Sequence, residues 1–499
     1  MDDTDIISVA NDPWSIGAFV AYLVMVIGIG IYASRFSSQG ISEYFIGGRK
    51  MNRFVVALSA VVSGRSAWLL LGVTGMAYAQ GPSAVWAVLG YIVVEVFLFL
   101  YYARKLRNFT ENRNCITIPD FFAERFGDKD GRLRIAIVTI FLIFMIGYIS
   151  AQFVAGGKAF ASGFGMEMNT GILVTAIIVV AYTIVGGFLA VSLSDMLQAI
   201  FMILALVLLP VIAIIELGGL TSLLQQLALM DMMYVDPFAI SVGAAIGFVG
   251  IGLGSPGNPH ILSRYMSIDD PMQLRYAAVV GTVWNVLMAW GAVFIGLAGR
   301  AVFPEAGMLP AADTENLFPM LAQQYLHPVL FGIVLASIFA AIMSTADSQL
   351  LVAASSVVRD VYEKIIKKDE QISQKKLVFL SRSVVFLLVV ISLLFGFVAE
   401  ELVFWLVLFA WAGLGASIGP TSILALYWKR TTRAGIFAGL ITGTLVTILW
   451  YYTPYLSNLM YELIPGFIAA WLATWLVSLY TTPPADSETS FRQMREIQR

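Results

Sequence analysis

The chain has 499 residues, 59% of them hydrophobic and only 12% charged. Soluble domains carry about twice that charged fraction, so a multidomain soluble protein, a disordered chain and a fibre are excluded. Cys115 is the only cysteine, so no internal disulfide can form. The solvent of this chain is the bilayer. Its formal net charge of −2 matters less than where the charges sit.

Taken in chain order, thirteen apolar runs are long enough to predict membrane-spanning helices. They are 14–34, 54–80, 82–103, 134–157, 171–187, 190–215, 238–255, 276–299, 329–357, 378–398, 402–427, 435–453 and 463–481. The acidic start, MDDTD, lacks the basic leader of an export signal, so no cleaved signal peptide is expected. Of the 30 Lys and Arg, one falls inside a span (Arg65) and two in loops of one side (Lys158, Arg300). The other 27 fall on the opposite side: Arg35–Arg53, Arg104–Arg134, Arg264 and Arg275, Arg359–Arg382, Lys429–Arg433, and Arg492–Arg499. That side is expected to be cytoplasmic. The other side carries Glu216, Asp231, Asp236, Glu305, Asp313, Glu400 and Glu401. An all-α polytopic protein of the cell (inner) membrane follows, with its N-terminus outside and its C-terminus in the cytoplasm. The loops are too short for an independent enzyme domain. The tail 483–499 is polar and is expected to be mobile.

Polar groups at membrane depth are costly and mark function. Run 54–80 holds Ser59, Ser63, Gly64, Arg65 and Ser66. Gly64 predicts either an unwound backbone lining a cavity or close packing of small residues. Arg65 adds a permanent cation that needs a partner or an anionic ligand. Glu95 lies inside the third run, and Asp195 lies in the sixth or at its cytoplasmic edge. Run 238–255 ends in Gly250, Gly252, Gly254, Ser255, Pro256, Gly257, Asn258 and Pro259, which cannot sustain a helix. Two Gly-interrupted helices five spans apart predict paired inverted repeats, at about 54–215 and 238–427, with a binding site at the interruptions. In run 329–357, Ala341, Ser344, Thr345 and Ser348 share one helix face, and Asp347 lies near it. Adjacent hydroxyls there suit either oxygen ligation of a monovalent cation or back-bonding to the helix.

These residues resemble the sodium:solute symporter family, and most closely its sodium/proline symporter branch. The stretches that carry the likeness are YFIGGRK (44–50), ALSAVVSGRSAWLLLG (57–72), ITIPDFFAERFGDK (116–129), YTIVGGFLAVSLSDMLQA (182–199), NPHILSRYM (258–266), AAIMSTADSQLLVAASSVVRDVYE (340–363) and LFAWAGLGASIGP (408–420). The resemblance implies thirteen transmembrane helices, a leucine-transporter-like core of two inverted five-helix repeats, and alternating access. It implies a sodium site of Val62 and Arg65 backbone carbonyls with Ala341, Ser344 and Thr345. It implies a second cation position or exit path at Asp195. Where proline symporters have an Asp-Met pair, this chain has Gly64-Arg65. Where they present a Trp and a Tyr in the seventh span, it has Ile251 and Ser255, while Trp68 is retained.

The expected function is sodium-driven import of a small organic solute, an amino acid such as proline or another small carboxylate. The substrate is expected among Ser63, Gly64, Arg65, Ser66, Trp68, Ile251, Ser255, Pro256, Asn258 and Pro259. The half-helix N-terminus after Gly64 would offer free N–H groups to a carboxylate. An alternative has Arg65, held by Glu95 or Asp347, taking the sodium ion's place or binding an anionic substrate, with sodium-independent exchange or proton coupling. Sodium is the only ion expected, and no cofactor is. Only His260 and His327 are present, both near span ends, so an intramembrane metalloenzyme is not expected. His260 is expected to be an interfacial hydrogen-bonding residue. Partners are a small-molecule substrate and lipid, with no nucleic acid. The Lys364–Lys376 cluster reads as a topology determinant, Asn108 as a sequon on the wrong side, and Cys115 as an incidental reduced thiol. One chain suffices.

Overall fold

The computed structural model describes residues 12–37, 39–368, 370–398 and 402–496. The acidic start, Glu400, Glu401 and Arg499 lie outside the described residues. Among the described residues the protein is all-helical, and the one β-contact is an isolated bridge between Met51 and Ile268. Lipid offers no hydrogen-bond partner to the backbone, so an apolar chain crossing it must satisfy its own N–H and C=O groups as helix. Among the described residues, ten helices are long and apolar enough to cross a membrane. One of them, Arg53–Asn112, has 60 residues. Met168–Ile184 and 242–257 are shorter apolar helices.

Burial ranks these helices. The apolar windows of Pro328–Ile366 and Val403–Tyr427 are 83% buried, against 28% for Pro13–Phe36 and 33% for Arg433–Tyr451 and Leu463–Tyr480. The first two are central and the others face outward. The Pro328–Ser355 helix packs against Arg53–Ala67, Arg132–Phe164, Met168–Glu216 and Pro13–Ser37. The Met168–Glu216 helix turns sharply at Gly187, whose φ of 60° and ψ of −166° suit only glycine.

The loops carry more structure than their polarity suggests. Ile118–Phe126 is a helix capped by Thr117, whose side chain accepts from the Asp120 N–H, and Leu220–Met230 is another. The expectation of a mobile tail is corrected. Ser487–Arg495 is a helix that buries Ser490, Phe491, Gln493 and Met494 and packs against the Ala103–Asn112 helix.

Candidate functional site

The first broken helix starts at Arg53, where the Asn52 side chain accepts from the Phe54 and Val55 N–H groups. It is interrupted at Ser66 (φ 49°, ψ −173°), two residues beyond the expected Gly64. Gly64 remains helical and serves a different purpose. A Cβ there would strike the Tyr91 hydroxyl and sit 3.1 Å from Ile261 Cδ1. A positive φ at a residue with a Cβ is held only by its surroundings. Here the Trp68 N–H donates to Ser66 Oγ at 3.1 Å, and the Ala67 N–H to Gln152 Oε1 at 3.1 Å. Two N–H groups of the half-helix N-terminus are therefore occupied and not free for a carboxylate.

The second broken helix is discontinuous where the Gly/Pro run requires it. Val242–Gly250 tightens into 3₁₀ geometry over Ile251–Gly257, goes extended at Asn258 (φ −91°, ψ 104°), and restarts at Pro259. Asn258 Nδ2 donates to the Gly254 carbonyl at 2.8 Å. The Met51 N–H donates to the Ser267 carbonyl at 3.1 Å, which ties the start of the first broken helix to the end of the second.

The hydroxyl stripe of the Pro328–Ser355 helix lies along the first break. Ser344 Oγ donates to the Ala341 carbonyl at 3.1 Å and the Val62 carbonyl at 3.4 Å. Thr345 Oγ1 donates to the Ser63 carbonyl at 2.9 Å, and Ser348 Oγ lies 3.2 Å from Ser63 Oγ. The Arg65 carbonyl accepts from the Trp68 N–H. These are hard, uncharged oxygens, the donor set that suits a hard cation. Among the described residues no group of three or more His, Cys, Asp or Glu could hold a metal.

Arg65 does not turn toward this stripe. Its Nε donates to Asn285 Oδ1 at 2.7 Å, and its NH2 pairs with Glu95 Oε2 at 3.1 Å. The guanidinium lies 3.3 Å from the centroid of the Tyr91 ring, a cation–π contact. Asp347 hydrogen-bonds to Ser348 Oγ at 3.0 Å instead. The reading in which Arg65 replaces a sodium ion beside Ser344 and Thr345 is thereby corrected.

A second buried guanidinium was missed. Arg264, read as a cytoplasmic loop cation, is only 1% exposed. Its Nε donates to Ser59 Oγ at 3.0 Å, and its NH2 reaches Asp195 Oδ2 at 3.3 Å and Ser348 Oγ. Ser59 Oγ donates in turn to Asp195 Oδ2 at 2.5 Å. Asp195 is fully buried, which corrects the hydrated interfacial alternative. His260 is also fully buried, with its ring edge-on to Tyr148 at 6.1 Å, so the interfacial reading fails there too. His327 caps the Pro328–Ser355 helix.

Trp68 stacks on Phe404 at 5.9 Å, and its buried Nε1 has no hydrogen-bond partner among the described residues. Ile251 and Ser255 are buried beside the second break, and the Ile251 carbonyl accepts from Trp411 Nε1 at 2.8 Å. The Pro256 carbonyl accepts from Ser422 Oγ at 3.2 Å. Pro259 opens the restarted helix. Sequence reasoning did not find Tyr91, Gln152, Asn285 or Trp411. Tyr91, Gln152 and Asn285 are single residues on neighbouring helices with no local motif to mark them, and Trp411 lies in the LFAWAGLGASIGP stretch without a role of its own.

Ion pairs close both ends of the bundle. Lys158 bridges Asp313 and Glu315, each at 2.6 Å, and Glu315 caps the Val403 and Phe404 N–H groups. At the opposite end Arg134 pairs with Asp120 at 2.6 Å and with Asp360, while Arg359 reaches Asp120 at 3.2 Å.

Comparison with known proteins agrees with this architecture. Residues 44–443 match the model of the sodium:solute symporter family. The chain is 39% identical over 466 residues to the high-affinity proline transporter PutP of Bacillus subtilis (strain 168), covering 92% of this chain and 97% of that one. It is 37% identical over 494 residues to a sodium/proline symporter of Staphylococcus aureus (strain JH9), covering 96% and 95%. Its fold matches a solved sodium-coupled sialic acid symporter in a substrate-bound, outward-open state, with a TM-score of 0.80, 18% identity, and coverage of 94% and 98%. A polytopic membrane protein with two broken helices meeting at buried oxygens, and with that match over most of its length, belongs to the sodium:solute symporter family of sodium-coupled solute transporters.

Proposed function

We propose that this protein imports a small amino or imino acid, proline the first candidate, together with sodium, by alternating access in the cell membrane. Proline is taken from the names of the relatives in Bacillus subtilis and Staphylococcus aureus. Thirteen crossings follow if Arg53–Asn112 is divided at the Gly81 corner and 168–184 and 242–267 each cross once. The repeats would then be 54–215 and 238–427, with the N-terminus outside and the tail in the cytoplasm.

The observation that carries the reading is the meeting of hydroxyls with carbonyls at the first break. Ser344 Oγ stands 3.4 Å from the Val62 carbonyl, and Thr345 Oγ1 2.9 Å from that of Ser63. A sodium ion entering between the two helices replaces those hydrogen bonds with ligand bonds from Val62, Ala341, Ser344, Thr345 and the Arg65 carbonyl. It thereby locks one helix to the other. Substrate lies between Ser63–Trp68 and the second break, and Asp195 lies along the ion's exit.

The test is uptake into proteoliposomes under a sodium gradient or a proton gradient. The S344A/T345A double variant should raise the half-saturating sodium concentration at least about tenfold, the equivalent of about 1.4 kcal/mol. Unchanged sodium dependence in that variant removes the site. Uptake driven by protons alone removes the coupling.

A further inference from the structure

The Arg65–Glu95–Asn285 cluster is not used by the sodium site. Its three side chains close a ring. Arg65 Nε donates to Asn285 Oδ1 at 2.7 Å, Asn285 Nδ2 donates to Glu95 Oε2, and Arg65 NH2 pairs with that same Oε2. The ring leaves two atoms over. Arg65 NH1 and Glu95 Oε1 are both buried and have no hydrogen-bond partner among the described residues. The side chains are 4% and 3% exposed. An unpaired donor and an unpaired acceptor on one ion pair, in a low-dielectric core, are each expensive to leave unmet. They also have opposite sign, which prescribes the shape of what would meet them.

The cluster is continuous with both breaks. Arg65 immediately precedes Ser66, and its guanidinium lies over Tyr91. Tyr91 stacks on Trp411 at 5.3 Å, and Trp411 Nε1 donates to the Ile251 carbonyl at the start of the 3₁₀ segment. A Cβ on Gly64 would strike Tyr91, and one on Gly254 would strike Trp411. Both aromatic groups are therefore seated against the broken backbone.

From this geometry we infer that the Arg65–Glu95–Asn285 ring is the polar anchor of the substrate and that it selects a zwitterion. The carboxylate of an α-amino or imino acid takes Arg65 NH1, and its ammonium takes Glu95 Oε1. The inference rests on the symport reading above and names the side chains that hold its substrate.

The experiment uses the full chain in proteoliposomes under a sodium gradient. L-Proline uptake is competed by tetrahydrofuran-2-carboxylate, which keeps the ring and carboxylate but has no amine. It is competed separately by pyrrolidine, which has no carboxylate, and by glucose. Each should compete about 100-fold or more weakly than unlabelled proline. Arg65→Gln alone strands a buried carboxylate and can fail to fold, so the variant to use is R65Q/E95Q, which leaves the net charge unchanged. It should still elute as a folded, monodisperse protein and lose proline binding at least about 100-fold. Competition by the carboxylate or by glucose equal to that of proline overturns the zwitterion anchor while leaving sodium symport standing. So does unchanged proline affinity in the double variant. A wild-type protein that moves none of the twenty amino acids under a sodium gradient overturns the symport reading itself, and this inference with it.

Discussion

At the scale of single residues, the packing beside the first break depends on an atom that is absent. Gly64 stays helical, and the Tyr91 hydroxyl occupies the space a Cβ would take. Gly64→Ala should therefore act through Tyr91 and not through backbone freedom. Overpacking of this kind costs about 1–3 kcal/mol. The variant should show lower uptake and a lower melting temperature, and Tyr91→Phe added to it should restore part of both. Tyr91→Phe that worsens the variant would show that the backbone at Gly64, and not the hydroxyl, sets the limit. Arg264 teaches the complementary lesson. Its place on a short restarted helix five residues beyond Pro259 puts a cation inside the bundle, where Ser59, Asp195 and Ser348 receive it. Counting charges by loop cannot reveal this, because the helix that carries Arg264 restarts at the second break, inside the bundle.

At the scale of elements, the tail helix shows how a polar segment becomes ordered. A helix leaves its last carbonyls without internal partners. The carbonyls of Gln493, Met494, Arg495 and Glu496 all accept from two side chains, Asn108 and Asn112, one turn apart on the Ala103–Asn112 helix. Phe491 lies 5.3 Å from the Arg125 guanidinium, and Lys429 pairs with Glu488 at 2.8 Å. At about 1 kcal/mol per hydrogen-bonding side chain, N108A/N112A should release the tail by about 2 kcal/mol. Trypsin cleavage at Arg492 and Arg495 should then quicken about 30-fold. Cleavage as slow as in the wild type would show that apolar docking alone holds the helix. The same element marks the limit of reading a sequence. Spans were legible because lipid forces apolar segments into helix. The hydroxyl face of the Pro328–Ser355 helix was legible because its spacing is the helix period. The break at Asn258 was legible because glycine and proline crowd it. The break at Ser66 and the fold of the tail were not. One rests on Gln152, 85 residues away from Ala67, and the other on asparagines more than 380 residues away from the carbonyls they cap.

At the scale of the whole molecule, one helix connects the two closures and the site. Arg132–Phe164 has 33 residues, about 50 Å of helix. Arg134 near one end is held by Asp120 and Asp360, and Lys158 near the other by Asp313 and Glu315. Between them Gln152 holds the Ala67 N–H at the first break. If access alternates by movement against this helix, releasing either end should favour opening at that end alone. Ser255, 1% exposed beside the second break, can report on this as Ser255→Cys. Cys115, the only native cysteine, gives a low background, because burial pushes its thiol well above the usual range; Cys115→Ala removes even that. In that background, with the N-terminus outside as proposed above, Lys158→Gln should speed labelling by a membrane-impermeant maleimide from outside, and Arg134→Gln should slow it while speeding labelling in inside-out vesicles. Losing about 1–2 kcal/mol from one closed end corresponds to about 5–30-fold in each rate. Changes of the same sign in both variants would mean that the ion pairs merely stabilise the fold. Opposite signs would make this helix the lever through which one end of the transporter senses that the other has opened.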